Sequence, residues 1–138
     1  MRFLLGAGTL RPELRQALEA EGLVLLEEGL PGSIRYWHFK APGKRFHGKV
    51  TPERLALGIS EKRLVVYCRS GRTELIDSPF TQQRLRAVEV SAEGEEKLVL
   101  RVDYDEMGEP NVSGEIRIRA KTPKAPLIVA ELRARLPA

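Results

Sequence analysis

The chain has 138 residues, 42% hydrophobic and 30% charged, with one cysteine and a formal net charge of +4. Such a composition suits one globular domain that buries a core without staples, and it excludes a disordered chain and an internal disulfide framework. No apolar run approaches the roughly eighteen residues of a membrane span, and the first residues reach glycine too soon for a secretory signal, so the expectation is a soluble cytoplasmic protein.

The charge is regional. Residues 1–32 hold three Lys/Arg and five Asp/Glu, residues 33–73 hold ten and two, and residues 74–138 hold ten and twelve. The central surplus of eight can steer an anionic partner.

Along the chain, Leu10, Leu14, Ala17 and Leu18 recur at helical spacing, with Thr9 as a cap, Pro12 in the first turn and Gly22 as the stop. Residues 23–28 and 33–40 read as two strands, and Leu30-Pro31-Gly32-Ser33 between them carries the residues of a type II turn. The expectation is therefore a β-hairpin over 23–40, with Tyr36, Trp37 and Phe39 on its return arm. Residues 41–48 read as a loop. Alternating strands follow at 54–59, 63–69 and 73–76, with a break at Asp77-Ser78-Pro79. Residues 81–85 leave strand and helical turn both open. Strands resume at 86–92, at the stripe Leu98, Leu100, Val102 and Tyr104, and at 115–121, where Ile116, Ile118 and Ala120 point one way and Glu115, Arg117 and Arg119 the other. Residues 105–113 read as a polar loop. Leu127, Ile128, Leu132 and Leu136 trace one face of a closing helix, with Pro126 in its first turn.

The stretch Leu57-Gly-Ile-Ser-Glu-Lys-Arg-Leu64-Val-Val-Tyr67 resembles the first β-hairpin of bacterial pleckstrin-homology-like domains and their GRAM relatives. Residues 75–80, 98–104 and 114–121 resemble later strands, and Thr122-Pro123 the entry to the capping helix. Glu21-Gly22, Leu30-Pro31-Gly32 and Ala41-Pro42-Gly43 resemble bacterial proteins that carry an extension before such a domain. The resemblance implies an α+β fold: a half-open antiparallel barrel over 49–138 capped by a C-terminal helix, preceded by a helix and β-hairpin over 1–48, in one domain. Phosphoinositide-binding members place several Lys/Arg on and beside that hairpin. Here Lys62 and Arg63 hold the turn beside Glu61, and lipid binding is not carried over.

Several motifs invite chemistry. Phe3-Leu4-Leu5-Gly6-Ala7-Gly8 before a helix imitates a dinucleotide fingerprint, but Arg11 stands for the third glycine and no parallel βαβ unit follows. His38 and His47 lack further ligands at metal spacing. Cys68 falls on an apolar strand face and reads as a buried hydrophobe. Asp77-Ser78 has no histidine to complete a nucleophile, and the acids Asp103, Asp105, Glu106 and Glu109 lack the spacing of a calcium loop.

The basic set remains: Arg35, Lys40, Lys44, Arg45, Lys49, Arg54, Lys62, Arg63, Arg69 and Arg72, interleaved with Tyr36, Trp37, Phe39, Phe46 and Tyr67. Aromatics beside cations suit stacking on bases or a lipid headgroup boundary, and equally a strand core or a subunit interface. The reading is a non-catalytic binding or protein-interaction module with no cofactor and no metal. Self-association through the 23–40 hairpin as a homodimer is one expected partnership. The other is an anion, membrane headgroup or nucleic acid, held by Lys44, Arg45, Lys49, Lys62 and Arg63.

Overall fold

The computed structural model describes residues 8–137. The α+β class stands: a helix precedes the strands, the strands pair antiparallel, and a helix closes the chain. The elements are α1 (Pro12–Ala20), β1 (Leu23–Ala41), β2 (Lys44–Phe46), β3 (Val50–Ser60), β4 (Arg63–Cys68) and β5 (Thr73–Pro79). A 3-10 turn (Gln83–Ala87), β6 (Val88–Ala92), β7 (Lys97–Asp103), α2 (Tyr104–Met107), β8 (Ser113–Lys121) and α3 (Ala125–Arg135) follow. The chain divides into two compact units. The first is the chain up to Pro31 with Glu53–Thr81; the second is Gly32–Pro52 with the chain from Gln82 onward.

In the first unit the strand order is β5-β4-β3-β1. The register Leu55↔Cys68, Leu57↔Val66 and Ile59↔Leu64 puts six apolar side chains on one face, all buried. Ala56, Gly58, Val65 and Tyr67 share the other face. Leu10, Leu14 and Leu18 from the α1 region pack there against Ala56 and Val65. Two covered faces explain why residues 55–59 of β3 and 64–68 of β4 are nearly continuous in apolar residues. Gly58 sits under α1 so closely that a Cβ would lie 2.7 Å from the Leu18 side chain.

In the second unit the order is β1-β8-β7-β6. Ile34, Ile116, Ile118, Leu98, Leu100 and Val102 form its buried face. α3 packs against β6 and β7 and buries Ile128, Val129 and Leu132. Pro126 stands in the first turn of α3, where its missing N–H costs nothing.

Several expectations need correcting. The 23–40 hairpin is absent: residues 23–41 are one strand, and Leu30-Pro31-Gly32 does not turn. The β8 ladder begins at Gly32↔Ala120, so Pro31 lies just outside it and its missing donor leaves that ladder intact. Self-association thereby loses the free-standing hairpin that motivated it. The hairpin actually present joins β1 to β2 through Pro42-Gly43, inside the expected 41–48 loop, with Lys40 opposite Arg45. β5 runs through Asp77-Ser78-Pro79, because an edge strand tolerates a terminal proline. Tyr104 leaves the strand to open α2, whose N-terminus is capped by the Asp103 carboxylate accepting from the Asp105 and Glu106 N–H groups. The cap of α1 is Arg11, with no side-chain bond, rather than Thr9. Of the two dinucleotide-like glycines, Gly6 lies outside the described residues.

The ladder between β1 and β8 shifts register between Trp37 and Lys40. His38 takes φ +47° there, and Gly114 opposite takes φ +92°. A Cβ on Gly114 would stand 2.3 Å from the His38 carbonyl oxygen. Gly114→Ala is therefore expected to cost about 2–4 kcal/mol, through both the clash and the left-handed backbone. Gly94→Ala, at φ +76° with nothing within 4 Å of the added carbon, is expected to cost about 1 kcal/mol. Denaturant unfolding of the two variants checks the contrast, and equal losses would refute it.

Candidate anion-binding surfaces

The five sequence-derived cations divide between the units. Lys62 and Arg63 belong to the first. The turn carrying them is pinned by the buried Ser60 hydroxyl, which accepts from the Lys62 and Arg63 N–H groups at 3.1 and 3.0 Å and donates to Glu21 at 2.9 Å. Lys62 is exposed. Arg63 is engaged: it pairs with both Glu21 oxygens at 3.0 Å and with Asp77 at 3.0 Å. Burial lowers its pKa, but the hydrogen bonds and charges of those two carboxylates outweigh that, and the net shift is upward. An incoming anion would have to displace two carboxylates from Arg63. The site is a closed ion-pair network that holds α1, β4 and β5 together, not an open seat.

Lys44, Arg45 and Lys49 belong to the second unit, on and just after the β1–β2 hairpin. All three are exposed, as is Lys40. Lys40, Lys44 and Arg45 line a shallow concavity of about 390 Å³ at the hairpin tip. Beneath it Tyr36, Phe39 and Phe46 pack together, with ring centroids 5.0–6.2 Å apart, and Tyr104 meets Phe39 at 5.8 Å. These aromatics are half-buried and packed on one another, so they serve as the hairpin's own small core. Lys49 lies 4.2 Å above Phe46. The loop is tied back to β1 on its other side, with Tyr36 N–H donating to Lys49 C=O and Gly48 N–H to Tyr36 C=O. The result is a set of like charges on a structured platform.

The histidines stack on each other at 4.1 Å, and the His38 backbone N–H donates to His47 Nδ1. No cluster of three or more potential metal ligands occurs among the described residues. Cys68 is 2% exposed and Ser78 1%, so neither presents a nucleophile. Three of the four acids of 103–109 have structural work. Asp103 caps α2, Asp105 accepts from Gly114 N–H, and Glu109 pairs with Arg84.

Sequence reasoning missed a second group of cations on the outward face of β8, β7 and β1. The registers Arg35↔Arg117 and Arg101↔Arg117 align three arginines side by side across adjacent strands, ending at Glu89. Arg101 bonds Glu115 at 2.9 Å and Glu89 at 3.1 Å, which raises its pKa further. Arg119 bonds Glu93 at 3.1 Å and holds that carboxyl below its usual range. Arg117 reaches Glu115 only at 4.0 Å, and Arg35 lies 5.3 Å above Trp37. The alternation Glu115-Arg117-Arg119 was legible; which arginines of other strands stand beside them follows only from register.

Compared with known proteins, the chain matches no family model and no curated protein. No helix among the described residues is long and apolar enough to cross a membrane.

In the first unit the Tyr67 hydroxyl donates to Asp77 at 3.0 Å and Glu74 at 3.3 Å. Burial, with the charges and hydrogen bonds of those carboxylates, pushes the phenol well above its usual value of 10.0. From about pH 10 upward the unfolded chain gives up this proton while the folded chain keeps it. The unfolded state then binds fewer protons, so stability falls as pH rises through that window. Tyr67→Phe is expected to make the fall of Tm between about pH 9 and about pH 11 shallower. An unchanged slope would clear the phenol of that role.

Proposed function

We propose that the chain is a non-catalytic binding module of pleckstrin-homology-like type that docks an anionic partner on the β1–β2 hairpin of its second unit. One observation carries the reading. No Asp or Glu occurs between Glu28 and Glu53, and within that stretch Arg35, Lys40, Lys44, Arg45 and Lys49 are all exposed. A stretch with no counter-charge of its own leaves its potential available to a partner. Lys40 directly opposite Arg45 is unfavourable in the free protein, and a bound anion relieves that repulsion.

The phosphate-rich surface of a bilayer fits this hairpin better than nucleic acid. Base recognition in single strands relies on aromatic faces open for stacking, and Tyr36, Phe39 and Phe46 use theirs on one another. The exposed groups are cationic heads on long stems, which suit headgroups. The finer fold reading rests on the hairpin pairing of 55–59 with 64–68, where the resemblance places it, and on strands ending in a single helix. The non-catalytic reading is supported by the buried Cys68 and Ser78 and by the mutual stacking of the two histidines.

The protein is expected to co-sediment with phosphatidylcholine vesicles doped with phosphatidylserine and to leave pure phosphatidylcholine vesicles unbound. Binding is expected to weaken by about tenfold or more as salt rises from about 0.05 to about 0.2 M. The double variant K44Q/R45Q is expected to lose about 2 kcal/mol of binding, at about 1 kcal/mol per cation near an anionic surface. Preference for a single-stranded oligonucleotide over the vesicles would replace the bilayer with nucleic acid. Binding indifferent to salt would overturn the electrostatic reading itself.

A further inference from the structure

We propose that the second unit carries a separate site, distinct from the hairpin, for a phosphate monoester with an apolar body. It is the open groove of about 650 Å³ that runs from the outward side of β6–β8 round the edge of β6 to the C-terminal end of α3. That volume lies in the range of small-molecule sites.

The charge balance of the groove selects its ligand. Arg101, Arg117, Arg119 and Arg133 line it, together with Glu89 and Glu93. The carboxylates are already held: Glu89 and the neighbouring Glu115 by Arg101, Glu93 by Arg119. Arg117 keeps only a 4.0 Å approach to Glu115, an oxygen pair that Arg101 engages more closely. Arg133 forms no ion pair with a described carboxylate; its guanidinium donates to the Val90 carbonyl at 3.4 Å, which leans it over the β6 wall. Four arginines thus stand against three carboxylates, a surplus of one positive charge, and Arg35 directly across from Arg117 brings it to two. Like charges opposed across strands are destabilising, so a bridging dianion is favoured at that point.

A phosphate monoester supplies the two charges and three terminal oxygens that guanidinium forks recognise. A carboxylate would neutralise only one of the two. Ser91 aside, the rest of the lining is apolar: Val99 is buried on the arginine face, Val88 and Val90 are buried on the core face of β6, and Leu136 and Pro137 are half-buried at the end of α3. Leu136 and Pro137 offer surface to a hydrocarbon body attached to the phosphate. The site uses none of Lys40, Lys44, Arg45 or Lys49, so it stands or falls apart from the hairpin reading.

Calorimetric titration of the full chain with n-octyl phosphate, kept below its micellar concentration, tests the proposal. One-to-one binding is expected, with inorganic phosphate at least about tenfold weaker and the neutral octyl glucoside without measurable binding. R117Q and R133Q are each expected to weaken octyl phosphate about tenfold with Tm unchanged, while K44Q/R45Q leaves it as it was. Equal affinity for octyl phosphate and octyl glucoside, or affinity insensitive to both arginine variants, would overturn the proposal. The source of the phosphate is read from vesicles carrying phosphatidic acid. Binding that survives K44Q/R45Q and is lost in R117Q assigns the group to a lipid headgroup. Octyl phosphate binding without such vesicle binding assigns it to a soluble phosphorylated molecule.

Discussion

The fold depends on β1 remaining extended from Leu23 to Ala41. It supplies the strand beside β3 in the first unit and the strand beside β8 in the second. A turn closed at Leu30-Pro31-Gly32 would take Gly32 out of its register with Ala120, the first rung of the β8 ladder. The bulge at His38 is the second condition. It ends the regular ladder and carries the chain into the β1–β2 hairpin, and Gly114 is the one residue type that gives it room.

The charges follow from these placements. In the first unit three arginines are spent on structure: Arg63 on Glu21 and Asp77, Arg15 on Glu28, Arg69 on Glu53. Partly buried pairs of this kind cost desolvation and return it only through good geometry, which Arg63 has, with three contacts at 3.0 Å. In the second unit the acid-free stretch before Glu53 leaves the hairpin cations without such partners nearby in sequence. Two residues that look alike in the sequence, Arg45 and Arg63, thus have different occupations, because one stands among carboxylates and the other does not.

The elements easiest to read were those whose periodicity and burial agree. Leu98, Leu100 and Val102 alternate because one face of β7 is core, and Ile128 and Leu132 recur because one face of α3 is. Cys68 was legible for the same reason. The 23–40 region misled because Pro-Gly turn chemistry is a local preference, while the decision was made by hydrogen bonding to β8, far away in sequence. Asp77-Ser78-Pro79 misled likewise, since the sequence does not show that β5 is an edge. Of the basic candidates, exposure at Lys44, Arg45 and Lys49 was foreseeable from their loop-like composition. The Glu21 and Asp77 partners of Arg63, and the alignment of Arg35, Arg117 and Arg101, require registers that a single sequence does not contain.

The central claim is that anions meet this protein on the second unit's hairpin and not on the turn at 60–63. Backbone amide shifts followed by NMR during titration with a soluble polyanion, such as inositol hexakisphosphate, test it most directly. The account predicts perturbations concentrated on Lys40, Lys44, Arg45 and Lys49, fading with added salt, with Lys62 and Arg63 unmoved. Shifts centred on Lys62 and Arg63, with the hairpin amides stationary, would contradict it.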